Sequence, residues 1–220
     1  MTKLTMNLDS IGFGNPTIEQ VKELNRETYL DTLFSELTGF TFPQNSSEAT
    51  KEELNAVVKA VDGLKRDEER RKRYMIYDVY IEKFYRNYLS KYKVDADEMN
   101  KLIDDITNDV QPLIYKLKYF FQRPRPHQLA YYYKLKLMPY TSLSYDTPSF
   151  PSGHVVLSKV YSEILGNTYP QIYNELQRIH EDICDSRIAL GLHYQSDVDV
   201  AIFVGEKICE NKELMIKYQI

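Results

Sequence analysis

Three short segments of the sequence carry side chains that can handle an anion: residues 116–124, 151–154 and 186–197. They contain cations, two histidines, a hydroxyl and the N–H groups of a predicted helix start. Such groups can hold a tetrahedral oxyanion while one histidine attacks it and another transfers a proton. The combination predicts phosphoryl transfer. The candidate residues are Lys116, Arg123, Ser152, Gly153, His154, Arg187, His193 and Asp197.

The first two segments also have ordinary structural interpretations. Lys116 and Arg123 are two helical turns apart, which predicts that both project from one face near a helix end, where cations favour the macrodipole. Arg125 could add charge at the mouth of a pocket or be solvated. Ser152 can cap a helix, and the free N–H groups that follow it can bind an anion or simply begin an ordinary helix.

The third segment places a histidine between two predicted helices. Gly191 predicts a helix stop, and Ser196 is expected to cap the next helix. His193 then lies in the turn, with Asp197 four residues later. This spacing lets the carboxylate orient the imidazole, although a surface salt bridge would use the same residues.

Helices must position these segments, because strand patterns are scarce. Thr17 predicts a cap for the first helix, and residues 123–150 predict a long ordered loop with a short helical piece. We expect one all-α domain over 1–220, a bundle of six or more helices, with residues 1–16 as an N-terminal arm. Further helices are predicted over about 47–61, 64–92, 96–122, 152–166, 169–189 and 196–217.

Composition excludes several classes of protein. The 220 residues have a net charge of -4 and 43% hydrophobic residues, which fits a globular fold and gives no footprint for nucleic acid or an anionic membrane. No apolar run is long enough to span a bilayer, and the first residues lack a secretory signal. We expect a cytoplasmic protein, exported only if a signal has been removed. Cys184 and Cys209 lack metal-ligand spacing and predict reduced thiols.

The order and spacing of the three segments resemble the signature shared by type 2 phosphatidic acid phosphatases, bacterial class A non-specific acid phosphatases and vanadium-dependent haloperoxidases. The pattern is Lys-x6-Arg-Pro, Pro-Ser-Gly-His and Ser-Arg-x5-His-x3-Asp, and eleven positions match over residues 116–197. The resemblance implies a helical bundle with its site at helix ends. It implies that His193 is the nucleophile, that Asp197 orients it, and that His154 is the general acid and then the base. The implied phosphate ligands are Lys116, Arg123, Ser152, Gly153 and Arg187.

Within this superfamily, the sequence favours the class A branch. The resemblance implies hydrolysis of a small-molecule phosphomonoester through a phosphohistidine, with neither metal nor cofactor and with vanadate as an inhibitor; a homo-oligomer is allowed. A haloperoxidase holding vanadate as its prosthetic group is one alternative, which the absence of tryptophan and the short chain disfavour. A degenerate phosphate-binding module is another, which the intact signature disfavours. The membrane-spanning lipid phosphatases are disfavoured because no spanning segment is visible.

Overall fold

A computed structural model describes residues 7–78, 81–92 and 94–220, apart from the side chains of residues 143 and 144. These residues form helices and connecting loops, without a strand, so the predicted all-α fold class is confirmed. Of the predicted arm, residues 1–6 lie outside the described part. The α-helices are α1 Ile18–Leu24, α2 Phe34–Leu37, α3 Glu48–Leu64, α4 Glu68–Asp78, α5 Ile81–Leu89, α6 Ala96–Phe121, α7 Pro126–Ala130, α8 Gly153–Thr168, α9 Tyr173–Ala189, α10 Gln195–Cys209 and α11 Lys212–Tyr218.

Several helix boundaries follow directly from the local sequence. Thr17 forms a capping box with Gln20 at the start of α1, and the Ser47 hydroxyl caps α3. Gly191 has a φ of 79°, a left-handed conformation that favours glycine, and follows the C-cap residue Leu190 of α9. These predicted signals are confirmed.

Other boundaries differ from the prediction because short polar side chains interrupt the helices. The predicted helix over 64–92 does not begin at Leu64, where α3 ends; Asp67 accepts from Arg70 N and starts α4 instead. The predicted helix over 196–217 is broken at Asn211, whose side chain caps α11. The expected cap at Ser196 is wrong, since α10 begins one residue earlier, at Gln195.

Helix α8 lies at the centre of the bundle. It packs against α9, α10 and α6, so apolar residues surround it. Val155, Val156, Val160, Ile164 and Leu165 are all fully buried. Because α8 is enclosed, its N-terminus is held rigidly next to the end of α6 and the turn between α9 and α10.

Helix α6 ends two residues before the arginine predicted to lie on its face. The helix stops at Phe121, and Gln122 adopts a left-handed conformation with φ 54°. Arg123 therefore lies outside the helix, and the expectation that Lys116 and Arg123 share one helix face is wrong. In the described part of the chain, every helix is too short or too polar to cross a membrane.

Candidate active site

A pocket of about 330 Å³ lies where the end of α6, the start of α8 and the α9–α10 turn meet. Three of the predicted residues line it: Gly153, His154 and His193. Two further cations, Lys118 and Arg125, lie beside them. The remaining lining residues are Asp78, Ile81, Glu82, Gln111, Ile114, Tyr115, Asp146, Thr147 and Leu157.

Lys116 does not reach this pocket. Its Nζ lies 2.7 Å from each carboxylate oxygen of Asp31 and donates to the carbonyl of Arg26 at 2.8 Å. The lysine in the pocket is Lys118, which is 4% exposed and donates to the carbonyl of Pro148 at 2.6 Å. The assignment of Lys116 to the anion site is therefore corrected in favour of Lys118.

The correction has a simple cause in the sequence. Residues 116–126 contain the Lys-x6-Arg-Pro pattern twice, once from Lys116 to Arg123 and again, two residues later, from Lys118 to Arg125. Helical periodicity separates the two. Lys118 follows Ile114 by four residues on the buried face of α6, whereas Lys116 lies off that face. The pattern alone cannot choose between the registers, but the apolar stripe does.

Arg123 lies behind the site rather than in the pocket lining. Its guanidinium donates to Asp197 at 2.6 Å, to the Ser196 hydroxyl at 2.7 Å and to Glu53 at 2.9 Å. It also stacks 4.0 Å from the centroid of the Tyr194 ring. Arg123 therefore neutralises the carboxylate below the histidine instead of facing the pocket.

Arg125, rather than Arg123, lies next to His193 in the pocket. It is fully buried, donates through Nε to the carbonyl of Thr147 at 2.9 Å, and donates through Nη1 to the carbonyl of Leu192 at 2.9 Å. The same Nη1 lies 2.9 Å from Nε2 of His193. Burial lowers the pKa of Arg125 to about 10, which leaves it charged at neutral pH.

His193 and Asp197 form the predicted pair. Nδ1 of His193 lies 3.2 Å from Oδ2 of Asp197, and both residues are buried. With Asp197 accepting from Nδ1–H, the lone pair of Nε2 points toward Arg125 and the pocket. Burial, followed by the charge of Arg125, lowers the pKa of His193, so the imidazole is neutral.

Asp197 is held ionised by its surroundings. Burial alone would raise the pKa of this carboxyl, but the Arg123 guanidinium and hydrogen bonds from His193 and Ser149 hold it well below its usual range. The backbone N–H of Tyr194 also donates to Oδ2, at 3.0 Å. The carboxylate is therefore charged and fixed in place, and it fixes the tautomer of His193.

Three predicted phosphate or proton-transfer groups have buried polar atoms without a hydrogen-bond partner among the described residues. They are Oγ of Ser152, Nε2 of His154 and Nη2 of Arg187. Ser152 occupies the N-cap position of α8, yet its hydroxyl makes no capping bond. Ser152 and His154 lie at the start of α8, and the charge of Arg187 acts on His154. Because buried polar atoms are normally paired, these three atoms indicate an anion site.

Asp78 orients Arg187. Nη1 of Arg187 lies 2.7 Å from Oδ1 of Asp78, and Nε donates to the hydroxyl of Ser186 at 3.0 Å. Both ends of the guanidinium are thereby fixed, and Nη2 is left as the donor without a partner. The sequence offered no motif for Asp78, which lies in α4, far from the three segments.

His154 lies among cations. Burial and then the charge of Arg187 lower its pKa, and His193, Lys118 and Arg125 act in the same direction. Gly153 keeps this region open, because a Cβ there would lie 3.3 Å from Ile114 Cγ2 and 3.5 Å from Lys118 Cε. The arrangement favours the uptake of an anion, which would relieve the repulsion between these groups.

The protein is an all-α bundle in which two histidines, buried arginines and a lysine lie near a helix N-terminus. These features are those of a protein that binds an anion and acts on it. Residues 106–209 match the family model of the PAP2 superfamily. This region, a little under half of the chain, contains every predicted site residue.

The curated relatives are bacterial phosphatases. A non-specific acid phosphatase of Salmonella typhi is 33% identical over 88 residues, which cover 40% of this chain and 35% of the relative. Another, from Providencia stuartii, is 28% identical over 112 residues, or 50% of this chain and 45% of the relative. The chain thus spans less than half the length of the curated relatives it matches. The likeness supports the predicted class A branch.

Proposed function

We propose that this protein is a metal-independent phosphomonoesterase that works through a phosphohistidine. The observation that carries the proposal is the neutral, buried His193, held by Asp197 at 3.2 Å in a pocket that Lys118, Arg125 and Gly153 also line. This arrangement offers a nucleophile and a cradle for phosphate oxygens in one place. The naming of two curated relatives as non-specific acid phosphatases supports the same reaction.

The first step is attack on phosphorus. The lone pair on Nε2 of His193 forms the P–N bond while the bond from phosphorus to the ester oxygen breaks, and the imidazole keeps its Nδ1–H on Asp197. The carboxylate stabilises the imidazolium charge that develops. We assign the phosphate oxygens to Lys118, Arg125, Arg187, the Ser152 hydroxyl and the N–H of Gly153.

His154 completes the cycle by moving protons. In its protonated form it donates Nε2–H to the departing oxygen, and afterwards it accepts a proton from the water that attacks phosphorus and releases His193. The cations that lower the pKa of His154 are those that a phosphate dianion would neutralise. Substrate binding would therefore raise that pKa and favour the protonated, acidic form.

The proposal includes no resident cofactor, because the chain's own cations supply the charge that a metal ion often provides in phosphoryl transfer. Vanadate, which is tetrahedral like phosphate, would bind the same groups as an inhibitor. If vanadate-loaded protein instead oxidised bromide with peroxide, the haloperoxidase alternative would be correct.

The test combines rapid quench with variants of three histidines. An aryl phosphate is turned over in the presence of EDTA, and an acid-labile, base-stable phosphoryl adduct is sought. We expect His193→Ala to abolish the adduct and His154→Ala to slow turnover by about 10²–10⁴-fold, less for acidic phenols. His127→Ala is the control, since His127 is exposed and outside the pocket lining.

Two results would contradict the proposal. Activity that EDTA abolishes and a divalent cation restores would replace the metal-free mechanism. An adduct that survives His193→Ala but disappears in His154→Ala would reverse the two histidine roles.

A further inference from the structure

Part of the pocket has no role in the proposed chemistry. The volume of about 330 Å³ lies within the range of small-molecule sites, so the phosphate shares it with the group it is esterified to. The residues left to border that leaving group are Ile81, Glu82, Gln111, Ile114, Tyr115, Asp146 and Leu157.

Two carboxylates among these residues lack an ion-pair partner in the described part of the chain. The side chains of Glu82 and Asp146 make no ion pair or hydrogen bond with any described residue, whereas Asp78 is paired with Arg187 and Asp197 with Arg123. The charge of Asp146 reaches the pocket: after burial, it is the main cause that raises the pKa of Tyr115. The same charge also acts on Lys118 and Arg125 and, against the effect of burial, raises the pKa of each, so Asp146 borders the anion site as well. Together with Glu82 it gives the leaving-group side a negative charge.

The other walls are apolar and aromatic. Ile81 is 3% exposed, Ile114 is also 3% exposed, and the ring of Tyr115 borders the same space. Carboxylates next to an aromatic ring and aliphatic side chains are the surroundings that proteins use to bind an ammonium on a short carbon chain. A carboxylate or a second phosphate at this position would meet like charge.

Resting on the function proposed above, we propose that the pocket takes phosphomonoesters whose leaving group carries an ammonium, and that it discriminates against anionic leaving groups. The substrate would then be dipolar, with its phosphate on the cations at the start of α8 and its ammonium near Glu82 and Asp146. Nothing in the three signature segments specifies this preference, because both carboxylates lie outside them.

The test uses three phosphates with two-carbon leaving groups that differ mainly in terminal charge: phosphoethanolamine, 2-hydroxyethyl phosphate and phosphoglycolate. We expect kcat/KM to fall in that order, by about tenfold from the ammonium to the carboxylate substrate or more, since opposed charges a few ångströms apart interact at this scale. The preference should weaken in high salt, because ions screen the exposed Asp146.

Variants assign the preference to the two carboxylates. Glu82→Gln combined with Asp146→Asn removes both charges with little change of shape, and should bring the three kcat/KM values to within about threefold of one another, chiefly by improving phosphoglycolate. Glu181→Gln is the matched control, because Glu181 is exposed on α9 and away from the pocket lining. It should retain the wild-type order.

Binding of two phosphonates separates this inference from the proposed reaction. 2-Aminoethylphosphonate and phosphonoacetate cannot be hydrolysed at a phosphate ester, and calorimetry gives their affinities whether or not the protein turns over. Tighter binding of the ammonium compound, lost in the double variant, supports the inference even if no ester is cleaved. Equal affinities, or a preference for phosphonoacetate, overturn it even if every ester is cleaved.

Discussion

Replacing each of the two lysines of the doubled pattern by methionine separates a charge that acts in catalysis from a charge that stabilises the fold. In Lys118→Met a buried cation is removed from the pocket, and in Lys116→Met a cation is removed from the pair with Asp31. The substitutions are chemically identical and two residues apart. We expect each to change one property and leave the other nearly unaltered.

The expected magnitudes follow from the surroundings of each ammonium. A charge-assisted hydrogen bond to phosphate contributes about 1.5–3 kcal/mol, so Lys118→Met should lower kcat/KM by about 10–150-fold. Burial, and then the charge of Arg125, lower the pKa of Lys118 in the folded protein. Because the unfolded chain binds this proton more tightly than the folded protein does, the ammonium of Lys118 destabilises the fold below pH 10. Lys118→Met should therefore not reduce the free energy of unfolding.

We expect the opposite effects for Lys116→Met, a loss of stability with little change in activity. The side chains of Lys116 and Asp31 are 18% and 31% exposed, so water screens the pair partly. Lys116→Met should lower the free energy of unfolding by about 1 kcal/mol and change kcat/KM by no more than about twofold.

The assays are initial rates on an aryl phosphate and urea unfolding followed by circular dichroism, for both variants and the wild type. Loss of activity in Lys116→Met together with full activity in Lys118→Met would refute the register assigned from the structure. Equal losses in both would show that the pocket does not distinguish the two lysines.

Three further changes probe the groups behind the pocket. Asp78→Asn should raise KM for an aryl phosphate about tenfold, because Arg187 loses the carboxylate that orients it, and should destabilise the fold by about 3–5 kcal/mol in urea; an unchanged KM would contradict the orienting role. Arg123→Gln removes a guanidinium that holds the pKa of Asp197 low, so the acidic limb of the pH–rate profile should shift to higher pH. An acidic limb at the wild-type pH would count against the pairing of Arg123 with Asp197. Burial lowers the pKa of His180 to about 4, so the stability that its neutral form gives is complete above about pH 6.5 and is lost as the pH falls toward 4. Between pH 7 and pH 4 the free energy of unfolding should fall by up to about 3 kcal/mol more in the wild type than in His180→Gln, as measured by urea unfolding.

The sequence could predict the helical fold and the two histidines because each rests on a local pattern. The cap at Thr17, the left-handed Gly191 and the four-residue spacing from His193 to Asp197 are all properties of neighbouring residues. The structure places each where the spacing predicted.

The residues that the sequence did not indicate have partners that are distant in the chain. Glu53 meets Arg123 from 70 residues away, and Asp78 meets Arg187 from 109 residues away, so no spacing rule connects them. The assignment of Lys116 is wrong for a different reason: Lys118 satisfies the same motif, and only the buried face of α6 separates the two lysines. The apolar stripe of α6 includes Lys118 and not Lys116, so helical periodicity identifies the lysine of the pocket.

Asp197 joins four parts of the chain through one residue. Its carboxylate binds Arg123, Ser149, His193 and the N–H of Tyr194, and its carbonyl accepts from Ser152 N at 3.2 Å. No one of these segments can swing away without breaking bonds that hold the others. The amide protons of Ser152 and Tyr194 should therefore exchange with solvent deuterium only when the whole bundle unfolds, although both belong to loops.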